Sequence, residues 1–335
     1  MEPVVLESLP DEVVASLEIR DAWRRKLSES GEGLEFIVSD LTRWPLGEAV
    51  RVAFLDGDKS LHQDIAEATK QITDSCNLTL DFGLTDGEYR RWTESDTSYA
   101  AEIRVSFDQR GYFSLVGTDS TDRTVGAPGL PVGGRPDQRS LNLGGFTTSR
   151  PTKWEGTVRH EFMHALGFHH AHQNMRGPCA AEFRWDDDSG YQPTRDPRGT
   201  YVPDTAGRRP GVYTYLAGAP NFWSRAKVDH NLRTDNDPEL VLGPFDRASV
   251  MLYVFADFFY KNAPSPCSPT GNGIDLSPVD KRGLRLLYPQ TARQLADRAN
   301  QSLSAMGAGN EAAVDSTDYQ ARVIELLTGM AGVRA

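Results

Sequence analysis

Apolar residues recur at strand and helix spacings through the first half of the chain and predict an ordered unit there. Residues 51–55 read as a strand, and residues 59–76 place apolar side chains at helical spacing. Residues 78–83 and 101–107 then alternate as two more strands. The pattern therefore predicts the order strand, helix, strand, strand, followed by a further helix around residue 160.

Residues 160–170 read H-E-F-M-H-A-L-G-F-H-H, which matches the spacing H-E-x-x-H-x-x-G-x-x-H. Only a helix brings side chains four residues apart onto one face, so His160 and His164 can reach the same metal ion. Gly167 can adopt a positive φ at low cost, so the chain can leave the helix and turn back. That turn would bring His170 to the same metal.

Three neutral imidazoles leave the fourth position of a zinc ion open, which is the pattern of a catalytic site. Glu161 follows the first ligand and is predicted to act as general base on a water molecule and then as acid on a leaving amine. The spacing within the motif selects His170 rather than His169 as the third ligand. We therefore expect one catalytic Zn²⁺ on His160, His164 and His170.

A second motif lies downstream, where residues 249–253 read S-V-M-L-Y. The two motifs together resemble those of the metzincin clan of zinc metallopeptidases, and the second is similar to the methionine turn of astacins and serralysins. The resemblance implies that Met251 forms an apolar floor beneath the metal. It also implies that Tyr253 is a weak fifth ligand or a donor to the oxyanion. Because the glycine-rich calcium repeats of serralysins are not seen after this region, the chain looks like an astacin-like or a generic metzincin.

The resemblance covers roughly residues 49–290 and implies an α+β fold. Such a domain has a twisted, mostly parallel sheet with an antiparallel edge strand, two long helices and a loop-rich C-terminal subdomain. An edge strand offers unpaired backbone groups to an extended peptide substrate. The residues that the resemblance assigns to this edge strand are Ser140, Leu141, Asn142 and Leu143.

Extensions flank this catalytic domain at both ends. Ser277 as N-cap and Pro278 at the first position begin its closing helix, and Pro289 ends it. Residues 291–335 are expected to form a C-terminal helical extension that docks on the core, or else binds a partner.

Residues 1–48 form an N-terminal extension with two possible roles. It is either a prosegment that lies in the cleft or a structural extension packed on the back of the domain. Astacins carry a glutamate after the third histidine, where this chain has Ala171, and no cysteine precedes Cys76. No F-x-G-D motif is visible either. Because no switch residue can be identified, the sequence favours the structural extension.

Composition narrows the range of partners. A net charge of -11, with 36 basic residues and no long basic cluster, disfavours nucleic acid. No apolar run is long enough for a membrane span. The first residues have neither a basic nor an apolar signal region, so the protein is expected in the cytoplasm, or exported without a signal, unless a signal has been removed. Cys179 and Cys267 could form a disulfide, but free buried thiols are expected.

These observations predict a zinc-dependent endopeptidase that acts on an extended peptide or protein. Two alternatives remain. One is a latent zinc-binding protein that captures protein partners in its cleft, and the other is a zinc amidohydrolase with a non-protein substrate. The sequence does not indicate the oligomeric state or the cleavage preference.

Overall fold

The computed structural model describes residues 7–29, 42–47, 49–174, 176–233 and 244–289. Its helices are α1 (Asp11–Glu29), α2 (Lys59–Ala68), α3 (Lys70–Thr73), α4 (Trp154–Ala165), α5 (Cys179–Glu182), α6 (Val212–Ala217), α7 (Arg225–Leu232) and α8 (Pro278–Leu287). Its strands are β1 (Ala49–Phe54), β2 (Thr79–Asp81), β3 (Ile103–Ser106), β4 (Tyr112–Ser114), β5 (Leu141–Leu143), β6 (Thr194–Arg195) and β7 (Tyr201–Val202). Short 3-10 turns lie at Gly117–Thr121, Ala171–Gln173 and Asp257–Phe259.

The main sheet has five strands in the order β2-β1-β3-β5-β4. Strand β1 pairs in parallel with both β2 and β3, and β3 pairs in parallel with β5. Strand β4 runs antiparallel to β5 and lies at the edge. The predicted fold class, an α+β domain with a mostly parallel sheet and an antiparallel edge strand, is confirmed.

The assignment of the edge strand to residues 140–143 is wrong. Leu141 and Leu143 belong to β5, which is paired on both sides, and Ser140, Leu141, Asn142 and Leu143 are each at most 1% exposed. Both backbone groups of Ser140 are hydrogen bonded as well. Complete burial is typical of an interior parallel strand. The edge belongs instead to Tyr112–Ser114, which is too short to show a period in the sequence.

The sheet packs against α2, α4 and α8 around the larger apolar core, and we call this part the sheet half. Helix α2 buries Leu61, Ile65 and Ala68 at the helical spacing that the sequence predicts. The helix predicted over residues 59–76 is interrupted at Thr69, where its hydroxyl donates to the carbonyl of Ala66. Such local side-chain bonds compete with helix continuation.

The described residues between 171 and 267 form what we call the loop half. Short elements surround a second apolar core there, which is rich in aromatic rings. Its buried aromatic residues are Phe183, Tyr215, Trp223, Tyr253, Phe255, Phe259 and Tyr260. Cys179 and Cys267 form a disulfide with a Cα–Cα distance of 5.0 Å, so the expectation of free thiols is wrong for this pair. Cys76 is free and buried.

Helix α8 begins as the sequence predicts. The Ser277 hydroxyl accepts from the backbone N–H groups of Val279 and Asp280, and Asp280 completes a capping box, with Pro278 in the first turn. Leu284 of α8 is fully buried in the sheet half. The predicted C-terminal extension, residues 291–335, lies outside the described residues. Within the described part of the chain, no helix combines the length and apolarity needed to cross a membrane.

Candidate metal centre

Helix α4 carries the first two histidines and ends in a turn that directs the chain back. Gly167 has a φ of 94°, and its N–H donates to the carbonyl of His164. The next N–H, of Phe168, donates to the carbonyl of Met163. This pair of bonds is a Schellman motif, in which a residue with positive φ ends the helix. A Cβ at Gly167 would meet nothing closer than 3.7 Å, so the backbone conformation and not space favours glycine.

Main-chain carbonyls fix the rings of the first two histidines. Nδ1 of His160 lies 2.8 Å from the carbonyl oxygen of Val250, and Nδ1 of His164 lies 2.6 Å from that of Phe168. A carbonyl oxygen can only accept, so each Nδ1 must carry a proton. In the neutral rings, Nε2 is then left with a free lone pair.

The three Nε2 atoms converge on one point. Nε2 of His164 lies 3.2 Å from that of His160 and 3.0 Å from that of His170. Ring nitrogens that carry lone pairs repel one another at such distances unless a proton or a metal cation lies between them. In tetrahedral zinc sites with Zn–N bonds of about 2.0–2.1 Å, ligand nitrogens are about 3.3 Å apart. The donor set therefore fits a zinc ion, and His160, His164 and His170 would hold it.

The turn at residues 249–253 contacts the metal centre through its backbone carbonyls. The carbonyl of Met251 accepts from the N–H of Ala171, next to the third histidine. The N–H of Val250 donates to Asp280, which also accepts from the Ser249 hydroxyl. The capping box of α8 therefore holds the turn whose Val250 carbonyl orients the first histidine. Met251 itself is 2% exposed and belongs to the core of the sheet half.

The rings of Tyr253 and His172 pack beside the third histidine. The Tyr253 ring centroid lies 4.4 Å from that of His170 and 4.8 Å from that of His172. Burial, with the nearby charges of Glu7 and Glu161, raises the pKa of Tyr253 well above its ordinary value. The phenol therefore stays protonated and able to donate.

A fourth group enters the site from the N-terminal extension. The Glu7 carboxylate lies 2.9 Å from Nε2 of His160, 3.3 Å from that of His164 and 3.4 Å from that of His170. The Tyr253 hydroxyl donates to the same carboxylate at 3.1 Å. Glu7 and the three histidines form the one group of potential metal ligands found in the described residues. Glu7 therefore lies where a fourth ligand of the metal would be.

Glu7 also lies against Glu161. Burial disfavours ionisation of Glu7, yet the three histidines hold its pKa well below the ordinary range. Burial and the adjacent Glu7 carboxylate raise the pKa of Glu161. Among the described residues, Oε2 of Glu161 has no hydrogen-bond partner although it is buried. The two carboxyl groups thus share the space in front of the histidines.

Helix α1, which follows Glu7, packs beside the edge strand. Val13 and Leu17 are buried against a small core that includes Phe113 of β4. Arg20 forms a largely buried ion pair with Asp119, in which the side chains are 11% and 7% exposed. A buried, two-pronged guanidinium–carboxylate contact fixes orientation more firmly than an exposed ion pair does.

Helix α1 reaches the loop half as well. Nζ of Lys227 donates to Asp11 at 2.7 Å, and Nδ1 of His230 lies 4.0 Å from Glu18. Both partners belong to α7, so α1 contacts both sides of the metal centre. This position contradicts the expectation of an extension packed on the back of the domain.

The structure thus brings together every predicted metal ligand, Glu161 and Tyr253. Sequence reasoning missed Glu7, because it searched for a cysteine or an F-x-G-D motif and Glu7 belongs to neither. The ring of His172 is fully buried beside that of His170. The helical spacing of residues 13, 17 and 20 is the one signal that could have indicated docking of the extension.

The fold and the three converging histidines define a candidate metal centre. The chain is similar to myroilysin, with a TM-score of 0.52 and 26% sequence identity over 76% of this chain and 98% of that one. A second structure of myroilysin aligns with a TM-score of 0.43 and 23% identity, covering 75% and 87% of the two chains. High choriolytic enzyme 1, a hatching-enzyme zinc-protease from the medaka fish Oryzias latipes, aligns with a TM-score of 0.41 and 15% identity, covering 76% and 98%.

Only the first of these likenesses is strong enough to carry an inference. It covers about three quarters of this chain and nearly all of that one. The predicted resemblance to astacin-like metzincins is therefore confirmed. No family model and no curated protein matches the chain.

Proposed function

We propose that this protein is a zinc-dependent endopeptidase, and that the chain described here is its latent form. The observation that carries the proposal is the convergence of three Nε2 lone pairs beside the buried carboxyl of Glu161. Three histidines whose fourth position is taken by Glu7 of the N-terminal extension, and so would be open once that extension leaves, favour catalysis over a structural metal site. Zinc, when bound, would supply a Lewis acid that polarises a carbonyl and acidifies water.

Glu161 is the proposed general base and acid. Its Oε2 atom is buried and faces no donor among the described residues, so it is available to a water molecule that attacks the peptide. The same carboxyl can then pass the proton to the leaving amine. A positioned general acid or base contributes on the order of 10²–10⁴ to the rate.

Tyr253 is the proposed donor to the oxyanion. Its hydroxyl already donates to a negatively charged oxygen in the site, that of Glu7. Its raised pKa keeps the proton on the phenol. A donor aimed at a developing negative charge in a site that excludes water stabilises the transition state.

The proposed substrate is an extended peptide that pairs with the edge strand β4. This strand is antiparallel and contacts α4, so a peptide added to it would pass close to the histidines. We propose that residues 49–290 form the catalytic domain.

Glu7 supports latency, because its carboxylate takes the position that a substrate carbonyl or water would need. It also lies against Glu161 and Tyr253, so it engages each group that the proposed chemistry requires. Helix α1 holds it there through contacts on both sides of the site. We therefore propose that the N-terminal extension is a prosegment.

The test compares cleavage of a mixed peptide library by full-length wild type, Glu7→Ala and Glu7→Ala/Glu161→Ala. Glu7→Ala is expected to cut internal bonds at least tenfold faster than wild type, since it removes the competing carboxylate. The added Glu161 substitution should reduce that rate by about 10²–10⁴. A zinc chelator should abolish cleavage in every variant.

Glu12→Ala is the matched control. Glu12 lies on the first turn of α1, five residues after Glu7, and is exposed. If Glu12→Ala accelerates cleavage as much as Glu7→Ala does, the prosegment role of Glu7 is wrong. If no variant cuts any peptide although each binds one zinc per chain, the endopeptidase proposal fails and the partner-binding alternative gains support.

A further inference from the structure

The third histidine is oriented differently from the other two. Main-chain carbonyls accept from the first two rings, whereas Nδ1 of His170 lies 3.3 Å from Oε1 of the Gln173 side chain. A side-chain amide oxygen can fix the orientation of a ring only if the amide nitrogen is itself hydrogen bonded. The orientation of His170 therefore depends on what binds the Gln173 amide nitrogen.

The last turn of α7 holds that nitrogen. Nε2 of Gln173 donates to the carbonyl of His230 at 2.8 Å, and Nε2 of His172 donates to the carbonyl of Asn231, also at 2.8 Å. The last carbonyls of a helix lack the N–H partners that the helix interior provides. Here the side chains of two residues that follow the third histidine satisfy two of those carbonyls, from 57 and 59 residues away in sequence.

His172 also supports the face of the third histidine. Its ring is fully buried, with its centroid 5.0 Å from that of His170 and an angle of 23° between the planes. The same ring contacts Tyr253. A ring fixed at one edge by a helix carbonyl therefore limits how far His170 and Tyr253 can rotate.

We propose that the last turn of α7 is a clamp for the third metal ligand, with Gln173 and His172 as its positioning residues. Gln173 fixes the rotation of the His170 ring, and His172 packs against its face. Neither residue touches the metal position itself, and both act through His170. The proposal rests on the metal site of the proposed function, but it concerns how α7 controls that site.

The test measures the zinc dissociation constant of the full-length chain by competition with a chromophoric chelator. Gln173→Met keeps the length of the side chain and removes both polar groups. It is expected to raise the zinc dissociation constant about tenfold, the lower end of the range for residues that orient metal ligands. When Co²⁺ is used as the probe, the visible absorption spectrum of the Gln173→Met variant should differ from that of wild type, because the geometry at one ligand changes. The melting temperature of the metal-free protein should stay near that of wild type.

His230→Ala is the matched control, since it removes a side chain from the same turn of α7 and leaves the carbonyl that accepts from Gln173. Its zinc affinity is expected to stay within twofold of wild type. A second pair separates the two contacts of His172. His172→Phe retains a ring and loses the bond to Asn231, so it should weaken zinc binding less than His172→Ala.

The clamp is refuted if Gln173→Met and His172→Ala both bind zinc within twofold of wild type with an unchanged cobalt spectrum. A separate outcome would show that the proposed function itself is wrong. If wild type itself binds no zinc, the metal site is wrong and the clamp falls with it.

Discussion

The sheet half and the loop half are stabilised in different ways, and the metal centre lies where they meet. Strands and long helices bury continuous apolar faces in the sheet half. The loop half has short elements, a cluster of packed aromatic rings and a disulfide. The first design depends on periodic burial, and the second depends on individual cross-links. Only the first leaves a regular pattern in the sequence.

The turn at residues 249–253 joins the two halves residue by residue. Val250 and Met251 pack in the core of the sheet half, while Leu252 and Tyr253 pack in the core of the loop half. The predicted metal ligands divide in a similar way, with two on α4 and the third, His170, directly before the loop half. A metal bound to all three would therefore tie the halves together and stabilise the folded chain.

The largest effect is expected from breaking the core of the sheet half. Phe162 lies between His160 and His164 in the sequence of α4. Its side chain is fully buried. Phe162→Ala should lower the free energy of unfolding by about 4 kcal/mol, since it removes a large apolar side chain and leaves a cavity. Denaturant unfolding of the metal-free protein, followed by far-UV circular dichroism, measures this change.

Phe222→Ala is the control for that substitution. Phe222 is 66% exposed in the loop half, so its loss should change stability by less than about 0.5 kcal/mol. Similar losses from the two substitutions would show that burial in the sheet half is not the source of stability that the comparison claims.

The sheet half could be predicted from sequence because its burial is periodic. The spacing of Leu61, Ile65 and Ala68 predicted α2, and the Ser277–Pro278 pair predicted the start of α8. The edge strand was misplaced because a strand of three residues carries no detectable period. A buried run such as 141–143 does not reveal which neighbours it pairs with.

The metal centre was predictable to a similar extent. The spacing of His160, His164 and His170 follows from helix geometry and one glycine turn, so local sequence determines it. Glu7 and the contacts of Gln173 depend on segments far away in the chain. No local pattern encodes which carboxylate or carbonyl a folded chain will bring to a given ring.

A second prediction concerns the disulfide of the loop half. The double variant Cys179→Ala/Cys267→Ala removes a bond that closes a separation of 88 residues. It should lower the free energy of unfolding by about 3 kcal/mol, because the unfolded chain gains conformational freedom. Unfolding in denaturant under oxidising conditions measures the loss.

The same experiment in reducing buffer provides its control. Once the bond is reduced, wild type and the double variant should unfold at nearly the same denaturant concentration. Cys76→Ala should respond equally in both buffers, since Cys76 is a free buried thiol. If the difference between wild type and the double variant persists under full reduction, packing of the sulfur atoms and not the bond supports the loop half.

The smallest effect concerns α8, which returns the chain to the sheet half after the loop half. Ser277→Ala removes the cap that accepts from Val279 and Asp280, and it should cost about 1 kcal/mol of stability. Ser60→Ala, an exposed substitution in the first turn of α2, should cost less. Zinc affinity should remain within twofold of wild type, because Asp280 keeps its own bond to the N–H of Val250. A loss of zinc affinity as large as that from Gln173→Met would mean that the α8 cap orients the first histidine as strongly as α7 orients the third, and the division between the two halves would no longer describe how the metal site is held.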